Sequence, residues 1–286
     1  MYQYVSANQL SPRIALVYKP FDGTTVHAGY ARYFTPPYQA QAYSSNIALF
    51  TNTTNQPEVP LNNPVLPERS NYYDIGFDQG VLPGLTVGGD AYYKDARDMI
   101  DDGQFGQAVV LTQFNYGRGY SEGGEVKAKY VNGDFRAYAN FSFNITRAID
   151  VISNQYLFDL ATYNYLLTNW HYTDDMQMMT GSAGASYRWY GNLFSTTVIY
   201  GSGQRAGDLS DGVAPNSLSL PPYVVVNAGV SRQIQWLSGA KPITLRFDIV
   251  NLFDKIYELR DGSGIGVFAP QFGARRGFYV GVSQKL

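Results

Sequence analysis

The segment Pro242–Leu252 reads PITLRFDIVNL, and its side chains alternate between apolar and polar with a period of two residues. One face would carry Ile243, Leu245, Phe247 and Ile249, and the other Thr244, Arg246 and Asp248. Successive side chains of a strand point to opposite faces, whereas a helix repeats every ~3.6 residues. The segment is therefore predicted to be a β-strand with one apolar and one polar face.

The same alternation recurs along most of the chain, for example over residues 134–146, 223–233 and 275–286. Helical spacing is nowhere sustained, so the fold class is predicted to be all-β. Eleven strands are predicted, near residues 12–19, 24–33, 70–80, 84–95, 119–131, 134–147, 176–189, 192–201, 222–234, 242–252 and 275–286.

The connections between these strands alternate between short and long. The short ones carry residues that favour tight hairpins, such as Leu82-Pro83-Gly84 and Asn132-Gly133. Short turns at one end of the strands and long loops at the other are typical of a transmembrane antiparallel β-barrel of the outer membrane. The long loops are predicted at residues 34–69, 96–118, 148–175, 202–221 and 253–274.

The composition narrows the classes of function. The 286 residues are 45% hydrophobic and 15% charged, with a formal net charge of -2 and no Cys. The absence of Cys excludes disulfide scaffolds and thiolate metal sites, and the charge disfavours nucleic-acid binding. A soluble β-sandwich or β-propeller would also alternate, although its exposed face is usually richer in Lys and Glu than this chain is. A soluble β-sandwich that serves as a binding or adhesion domain therefore stays an alternative.

Four segments resemble the barrel of TonB-dependent outer-membrane receptors, and they occur in the family's order. They are SPRIALVYKP at Ser11–Pro20, LPERSNYYDIGF at Leu66–Phe77, NLFDKIY at Asn251–Tyr257 and GARRGF at Gly273–Phe278. The second has Asp74 where the family commonly has Glu, and the fourth has Ala274 at the position of the family's small residue or Pro. The chain also departs from the pattern at Leu286, since family members usually end in Phe or Trp.

The resemblance implies a barrel of 22 strands that an N-terminal plug occludes. Long outer loops would capture a scarce substrate, such as a siderophore, a cobalamin-like cofactor or a carbohydrate, and a TonB-type protein would energise uptake. The resemblance also implies outer-membrane lipid and the barrel-assembly machinery as partners. Nothing in residues 1–286 resembles a plug, so the chain is interpreted as the C-terminal portion of such a barrel.

An odd number of strands has a topological consequence. The first and last of eleven alternating strands run the same way and cannot pair antiparallel, and an open edge in lipid leaves costly unpaired N–H and C=O groups. In an alternative, residues 1–10 or Val109–Leu111 would form a twelfth strand and close a small plug-less pore for passive diffusion.

No catalytic constellation, cofactor motif or metal-ligand spacing is found, so the protein is not expected to be an enzyme. His27 and His171 are isolated along the sequence, and structural roles are favoured for both. Asp98, Asp101 and Asp102 lack the order of an EF-hand and are interpreted as a solvated acidic loop.

Three sets of residues are candidates for function. Aromatic rings and one imidazole in the long loops are candidate ligand contacts: Tyr38, Tyr43, Phe50, Tyr163, Tyr165, Trp170, His171 and Tyr172. Charged side chains predicted to face the lumen are Arg136, Arg246, Asp248, Lys127, Lys129 and Arg188. The alternating apolar residues of the last strand are interpreted as an assembly signal: Phe278, Val280, Val282 and Leu286. The competing interpretations are loop packing or an aromatic girdle for the rings, and cross-strand ion pairs for the charges.

Overall fold

The computed structural model describes residues 8–38, 50–54, 56, 58–59, 63–104, 111–153, 158–235, 239, 241–266 and 269–284. The strands are β1 (Arg13–Tyr18), β2 (Thr24–Thr35), β3 (Glu68–Leu82), β4 (Leu85–Gln104), β5 (Leu111–Asn132), β6 (Phe135–Ser153), β7 (His171–Tyr172), β8 (Met179–Trp189), β9 (Asn192–Gly201), β10 (Arg205–Ala206), β11 (Leu218–Ser219), β12 (Tyr223–Ile234), β13 (Ile243–Val250), β14 (Glu258–Arg260), β15 (Gln271–Phe272) and β16 (Gly277–Gln284). Among the residues described, one α-helix, α1, covers Leu160–Thr168. Across the described ranges, no helix has the length and apolarity needed to cross a bilayer.

One antiparallel sheet organises the molecule. Its strand order is β1-β2-β3-β4-β5-β6-β8-β9-β12-β13-β16, and β7 adds two residues beside β6. The path contains eleven long strands, as the alternation predicts, and every neighbouring pair is antiparallel. Within the described chain, β1 and β16 each pair on one side only, and they run in the same direction. The predicted all-β antiparallel class is confirmed, and the sheet is not closed into a barrel.

The register gives the sheet one apolar and one polar face. Cross-strand pairing aligns Val26, Phe77, Val126 and Phe141 with one another, through Gly89 on β4. The side chains on this face are open to the surroundings, as the 61% exposure of Val126 shows. No second sheet covers it in the part of the chain that the structure describes, so the arrangement is not that of a sandwich. We call this side the apolar face and the opposite side the polar face.

The predicted loop over residues 96–118 is wrong. Cross-strand pairs such as Ile100–Asn115 and Asp102–Gln113 prolong the β4–β5 hairpin far beyond its predicted ends. Leu111 therefore begins β5 rather than a further strand, whereas residues 109 and 110 lie outside the described residues. The acidic residues Asp98, Asp101 and Asp102 also lie in β4 and not in a loop.

The predicted loop over residues 148–175 contains α1, which the alternation does not predict. Asp159 caps the helix, since its Oδ1 accepts a hydrogen bond of 2.8 Å from the backbone N–H of Thr162. Such a cap satisfies one of the backbone donors that a helix start leaves free. The helix has nine residues, which is too short for a helical period to stand out in the sequence.

The main cluster of buried apolar side chains lies at the long-loop end of the sheet, not along its length. Asp98 and Asp150, both with positive φ, lie opposite Gly117 and break the alternation of β4 and β6. Residues three apart, which would face opposite ways in a regular strand, consequently enter one core: Ala96 with Met99, and Ala148 with Val151. Because Ala96 and Ala148 belong to the polar face, this core covers the polar face at its long-loop end.

Candidate functional site

A network of charged side chains lies near the middle of the polar face. The Nε2 atom of His27 is 3.1 Å from Oδ1 of Asp90 and 3.7 Å from Oδ2 of Asp74. The Nζ atom of Lys127 is 3.1 Å from Asp90 and 3.4 Å from Asp78. The register brings these residues together from β2, β3, β4 and β5. We call His27, Asp74, Asp78, Asp90 and Lys127 the central ion network.

A glycine makes the central ion network possible. Gly76 lies between His27 and Asp90 in the register, and a Cβ atom at this position would collide with both of their side chains. The missing side chain therefore leaves the space in which the imidazole reaches across β3 to the carboxylate. The members are about one-third exposed, so each ion pair contributes only ~0–1 kcal/mol to stability.

A stack of tyrosines separates this network from the loop end. The rings of Tyr72 and Tyr92 are stacked with centroids 5.9 Å apart, and Tyr33 meets Tyr72 edge-on at 6.2 Å. All three belong to the polar face by register. Beyond them, Nζ of Lys94 lies 2.6 Å from Oε1 of the buried Glu68. The tyrosine stack offers flat apolar rings with hydroxyl groups, which suit sugars and other planar solutes.

The six charged residues predicted to face the lumen all lie on the polar face. Most of them lie opposite a hydroxyl or amide side chain in the register, and they are Lys127, Lys129, Arg136, Arg188, Arg246 and Asp248. Arg246 and Asp248 are paired at 2.5 Å and line a hollow of about 370 Å³ with Ser195 and Asn227. Lys129 and Arg136 line a second hollow, of about 700 Å³. Four of the six make ion pairs, as the competing interpretation expects. Lys127 does so within the central ion network, Arg246 and Asp248 with each other along β13, and Arg188 with Asp134 at 3.8 Å.

The long-loop end has its own packed core, which we call the mouth core. Phe114, Leu166 and Ile265 are essentially unexposed, and the rings of Phe114 and Phe158 meet edge-on at 5.4 Å. The candidate ligand contacts Tyr163 and Tyr165 lie on α1 and pack against this core. These two rings therefore hold the helix in place.

His171 is buried beside the mouth core. Its side chain packs on the ring of Tyr116 at 5.0 Å between centroids, and its Nδ1 lies 3.3 Å from the carbonyl oxygen of Asn169. Burial lowers the pKa of His171 to about 4 because the charged imidazolium would lose its hydration, although the Asn169 carbonyl opposes this shift. The imidazole is therefore neutral near pH 7 and contributes packing rather than charge.

Trp170 and Tyr172 lie on the apolar side of the sheet, away from the polar face. Tyr172 pairs with Arg147 of β6, which belongs to the apolar face by register, and Trp170 meets the ring of Tyr120 at 5.3 Å. The guanidinium groups of Arg147 and Arg205 each lie within 4.3 Å of the Tyr172 ring. Both rings therefore lie on the face where the competing interpretation, an aromatic girdle, would place them.

The remaining predicted residues are spread over the molecule. The backbone N–H of the exposed Tyr38 donates to Oε1 of Gln113 at 2.8 Å, and Phe50 lies in a turn of the second connection. Tyr43 and Leu286 lie outside the described residues. The alternating residues of the last strand share the apolar face and are well exposed: Phe278, Val280 and Val282. The candidate ligand contacts therefore do not converge on one pocket.

Sequence reasoning missed the carboxylates of the central ion network. Asp74 and Asp78 share a strand face with Gly76, and Asp90 shares one with Gly88. The period of two could therefore have predicted that these carboxylates lie on the polar face. What alternation could not supply is the cross-strand register that brings these residues to His27. In the described part of the chain, no group of three or more His, Asp or Glu side chains is arranged to hold a metal ion.

Comparisons with known proteins agree with this architecture. The model of the family described as TonB dependent receptor-like, beta-barrel, matches residues 2–252. The FrpB iron transporter of Neisseria meningitidis matches with a TM-score of 0.64 and 15% identity over 96% of this chain. Pseudomonas aeruginosa FpvA, in complex with iron and a heterologous pyoverdine, matches with a TM-score of 0.60 and 14% identity over 94% of the chain. The ferric citrate transporter FecA matches with a TM-score of 0.60 and 17% identity over 96%.

The match covers 39% of FrpB, 32% of FpvA and 38% of FecA, so the chain spans well under half the length of these solved structures. At such low identity the solved structures establish the fold alone. Among curated proteins, no match is found.

Proposed function

Because the chain belongs to the TonB-dependent receptor-like β-barrel family, whose members lie in the Gram-negative outer membrane, we propose that it forms the C-terminal portion of a transport receptor's wall. The observation that carries this proposal is a single-layer antiparallel sheet with an exposed apolar face and a charged polar face. The apolar face meets lipid and the polar face lines the lumen. A TonB-type protein, acting through a region outside residues 1–286, energises uptake of a scarce solute.

The solute path follows the tyrosine stack and the central ion network. Three carboxylates face one ammonium group in the network, namely Asp74, Asp78 and Asp90 against Lys127. A surplus of carboxylates repels anions, so this wall suits a neutral or cationic solute, such as a carbohydrate, a cobalamin-like cofactor or an uncharged iron chelate. A polyanionic chelate would be repelled at the same place.

Uptake by cells tests the proposed path. In the full-length receptor, the double variant Tyr72→Ala/Tyr92→Ala should lower uptake several-fold, because the rings that contact the passing solute are gone. Labelled neutral, cationic and polyanionic solutes are supplied to cells with and without the TonB-type protein. Tyr187→Ala is the matched control, since this ring lies on the apolar face and is 50% exposed. Equal uptake by the double variant and the control would remove the tyrosine stack from the path.

Conductance separates a receptor wall from a small passive pore. Residues 1–286 alone, added to planar bilayers, should give no discrete, stable openings, because β1 and β16 cannot pair antiparallel with each other. Single-channel recording measures this directly. Regular openings of constant size would contradict the receptor-wall proposal and support the passive pore.

A further inference from the structure

Two cationic side chains of the polar face have no anionic partner. Lys129 on β5 and Arg136 on β6 are exposed, and neither forms an ion pair among the residues that the structure describes. The other four charged candidates for the lumen are all paired, so these two are the exception. Lys129 lies opposite Tyr138, two residues from Arg136, so the two cations are diagonal neighbours within roughly 8 Å. Like charges at this spacing repel, and an anion bound between them would relieve the repulsion.

The two cations line the hollow of about 700 Å³, which we call the inner hollow. A tight turn after Asn132 joins β5 to β6, and Lys129 is only three residues before it, so the hollow lies at the short-turn end of the lumen wall. The hydroxyl groups of Ser186, Ser195 and Thr197 belong to the same face and line the hollow too. A small solute fits such a space, since small-molecule sites usually enclose ~300–1,000 Å³.

The ring of Tyr138 gives the inner hollow an apolar surface. A Cβ atom at Gly184 would collide with this ring, so the missing side chain lets the ring lie across β8. Tyr138 is still 47% exposed, and its free surface can pack against the body of a solute. The planar guanidinium of Arg136 beside it is suited to bidentate hydrogen bonding with a carboxylate. The hollow therefore combines the groups that bind a carboxylate on a compact polar body.

The central ion network lies next to the inner hollow and has the opposite surplus of charge. Register aligns Asp78 on β3 with Lys127 on β5, through Gly88, and Lys129 is two residues further along β5. At ~4.8 Å per strand and ~3.4 Å per residue, Asp78 and Lys129 are about 12 Å apart along the sheet. The carboxylates of Asp74 and Asp78 are 32% and 43% exposed, so a cationic group can reach them.

We propose that the inner hollow binds the carboxylate of a zwitterionic solute, whose ammonium group meets the carboxylates of the central ion network. This inference rests on the proposed function and narrows its substrate class to solutes of zero net charge with two separated charged groups. An extended tripeptide separates its terminal charges by roughly 10 Å, since each residue adds ~3.3–3.6 Å. The network repels a polyanion and the inner hollow repels a polycation, whereas a zwitterion of this length satisfies both.

Chemical labelling of Arg136 in the purified full-length receptor tests the proposal. Phenylglyoxal modifies guanidinium groups, and mass spectrometry of peptides measures the rate at Arg136. Trialanine should slow this rate at least fivefold at saturation, whereas trialanine amide, which lacks only the carboxylate, should not. Arg246 is the internal reference for consumption of the reagent, since it lies on the same face but is paired with Asp248. Equal protection by both probes, or protection by neither, would overturn the proposal.

Two further outcomes of the labelling are decisive. Acetylated trialanine keeps the carboxylate and lacks the ammonium group, so it should require about tenfold higher concentration than trialanine for the same protection, because the network repels it. Protection at the same or a lower concentration would overturn the assignment to a zwitterion. If Arg136 is unreactive without any probe, another segment of the receptor fills the inner hollow, and the proposal is wrong.

A double variant, Lys129→Gln/Arg136→Gln, removes both cations. Equilibrium dialysis should show that it binds labelled trialanine at least tenfold more weakly, since charge-assisted hydrogen bonds are lost. Lys129→Arg keeps the charge and should bind as wild type, and so should Arg232→Gln, which removes an exposed arginine of the apolar face at the short-turn end. Unchanged binding by the double variant, or an equal loss in Arg232→Gln, would contradict the site.

Stability separates a binding role of the two cations from a structural one. Thermal unfolding of the double variant should occur at the same temperature as wild type or higher, because the repulsion between the cations is relieved. A lower temperature would mean that the cations support the fold, and would overturn the proposal. Labelling and dialysis need no TonB-type protein and no uptake. If uptake depends on the TonB-type protein but trialanine does not protect Arg136, the proposed function stands and this inference falls.

Discussion

At the scale of a single residue, the side chain of Asn251 shows how the NLFDK segment is held in place by hydrogen bonds. Its side-chain amide donates to the carbonyls of Lys255 and Ala274, and its Oδ1 accepts from the backbone N–H of Lys255. Oδ1 of Asp254, in the same segment, accepts a hydrogen bond of 2.7 Å from Nε of Arg275. This hydrogen bond holds the pKa of the Asp254 carboxyl far below its ordinary value. Two of the motifs that mark the family are therefore joined to each other.

Replacing Asn251 should weaken this junction. Asn251→Ala removes three hydrogen bonds to the backbone of Lys255 and Ala274 and places alanine at a φ of 51°, so unfolding should become easier by on the order of 1–3 kcal/mol. Asn251→Gly tolerates the positive φ and isolates the lost hydrogen bonds. Urea unfolding in micelles measures both variants. A glycine variant as stable as wild type would show that the amide contributes nothing.

His171 predicts a dependence of stability on pH. Its folded pKa of about 4 lies below the unfolded value of 6.5, so between these values only the unfolded state binds the proton. Stability is therefore complete above pH 6.5 and decreases as the pH falls towards 4, by on the order of 2–3 kcal/mol at pH 4.5. Hydrogen exchange of the mouth core between pH 7.5 and 4.5 reports this change.

The variant His171→Gln should lose that component of the pH dependence. His27→Gln is the control, because His27 lies on the polar face within the central ion network and leaves His171 intact. If wild type and His171→Gln lose protection in parallel as the pH falls, the buried imidazole is not the responsible group.

At the scale of elements, α1 depends on the mouth core for its position. Leu166 is completely buried in this core, whereas Leu160 on the same helix is 53% exposed. Short helices are marginal by themselves, so the packed face rather than helix propensity keeps α1 folded. The helix therefore reports directly on the integrity of the mouth core.

Truncation of the two leucines should have unequal effects. Leu166→Ala creates a cavity and should destabilise the mouth by about 2–5 kcal/mol, whereas Leu160→Ala should cost far less. Limited proteolysis of the region 154–178 measures the difference, with faster cleavage expected for Leu166→Ala. Similar cleavage of both variants would mean that α1 does not pack as the structure has it.

At the scale of the whole molecule, the two edges of the sheet determine how a barrel can form. Eleven antiparallel strands leave β1 and β16 running in the same direction. Antiparallel closure therefore requires an odd number of further strands, consistent with the 11 that a 22-stranded barrel would add. An edge left open in lipid would cost several kcal/mol per unpaired group.

Expression of the receptor in two pieces tests this requirement. Residues 1–286 and the remainder of the receptor, made as separate chains, should assemble into a heat-resistant barrel that neither forms alone. Electrophoresis with and without heating detects the folded form. A heat-resistant species from residues 1–286 alone would show that the sheet closes without a partner.

Alternation alone predicts the strands and their two faces, and it places all six charged candidates for the lumen on the correct face. These predictions succeed because side chains two residues apart in a strand point the same way. The same local pattern fails beyond Asp98 and Asp150, where positive φ values turn the side chains over. It also fails for α1, whose nine residues are held by distant contacts.

The sequence by itself therefore determined the class of fold, the number of long strands and which face is apolar. Only the tertiary structure decided which charges meet, such as His27 with Asp90. It also placed Trp170 and Tyr172 outside and buried His171. The physical reason is that side-chain direction is local to one strand, whereas neighbours are set by register between strands, which depends on pairing across long stretches of chain.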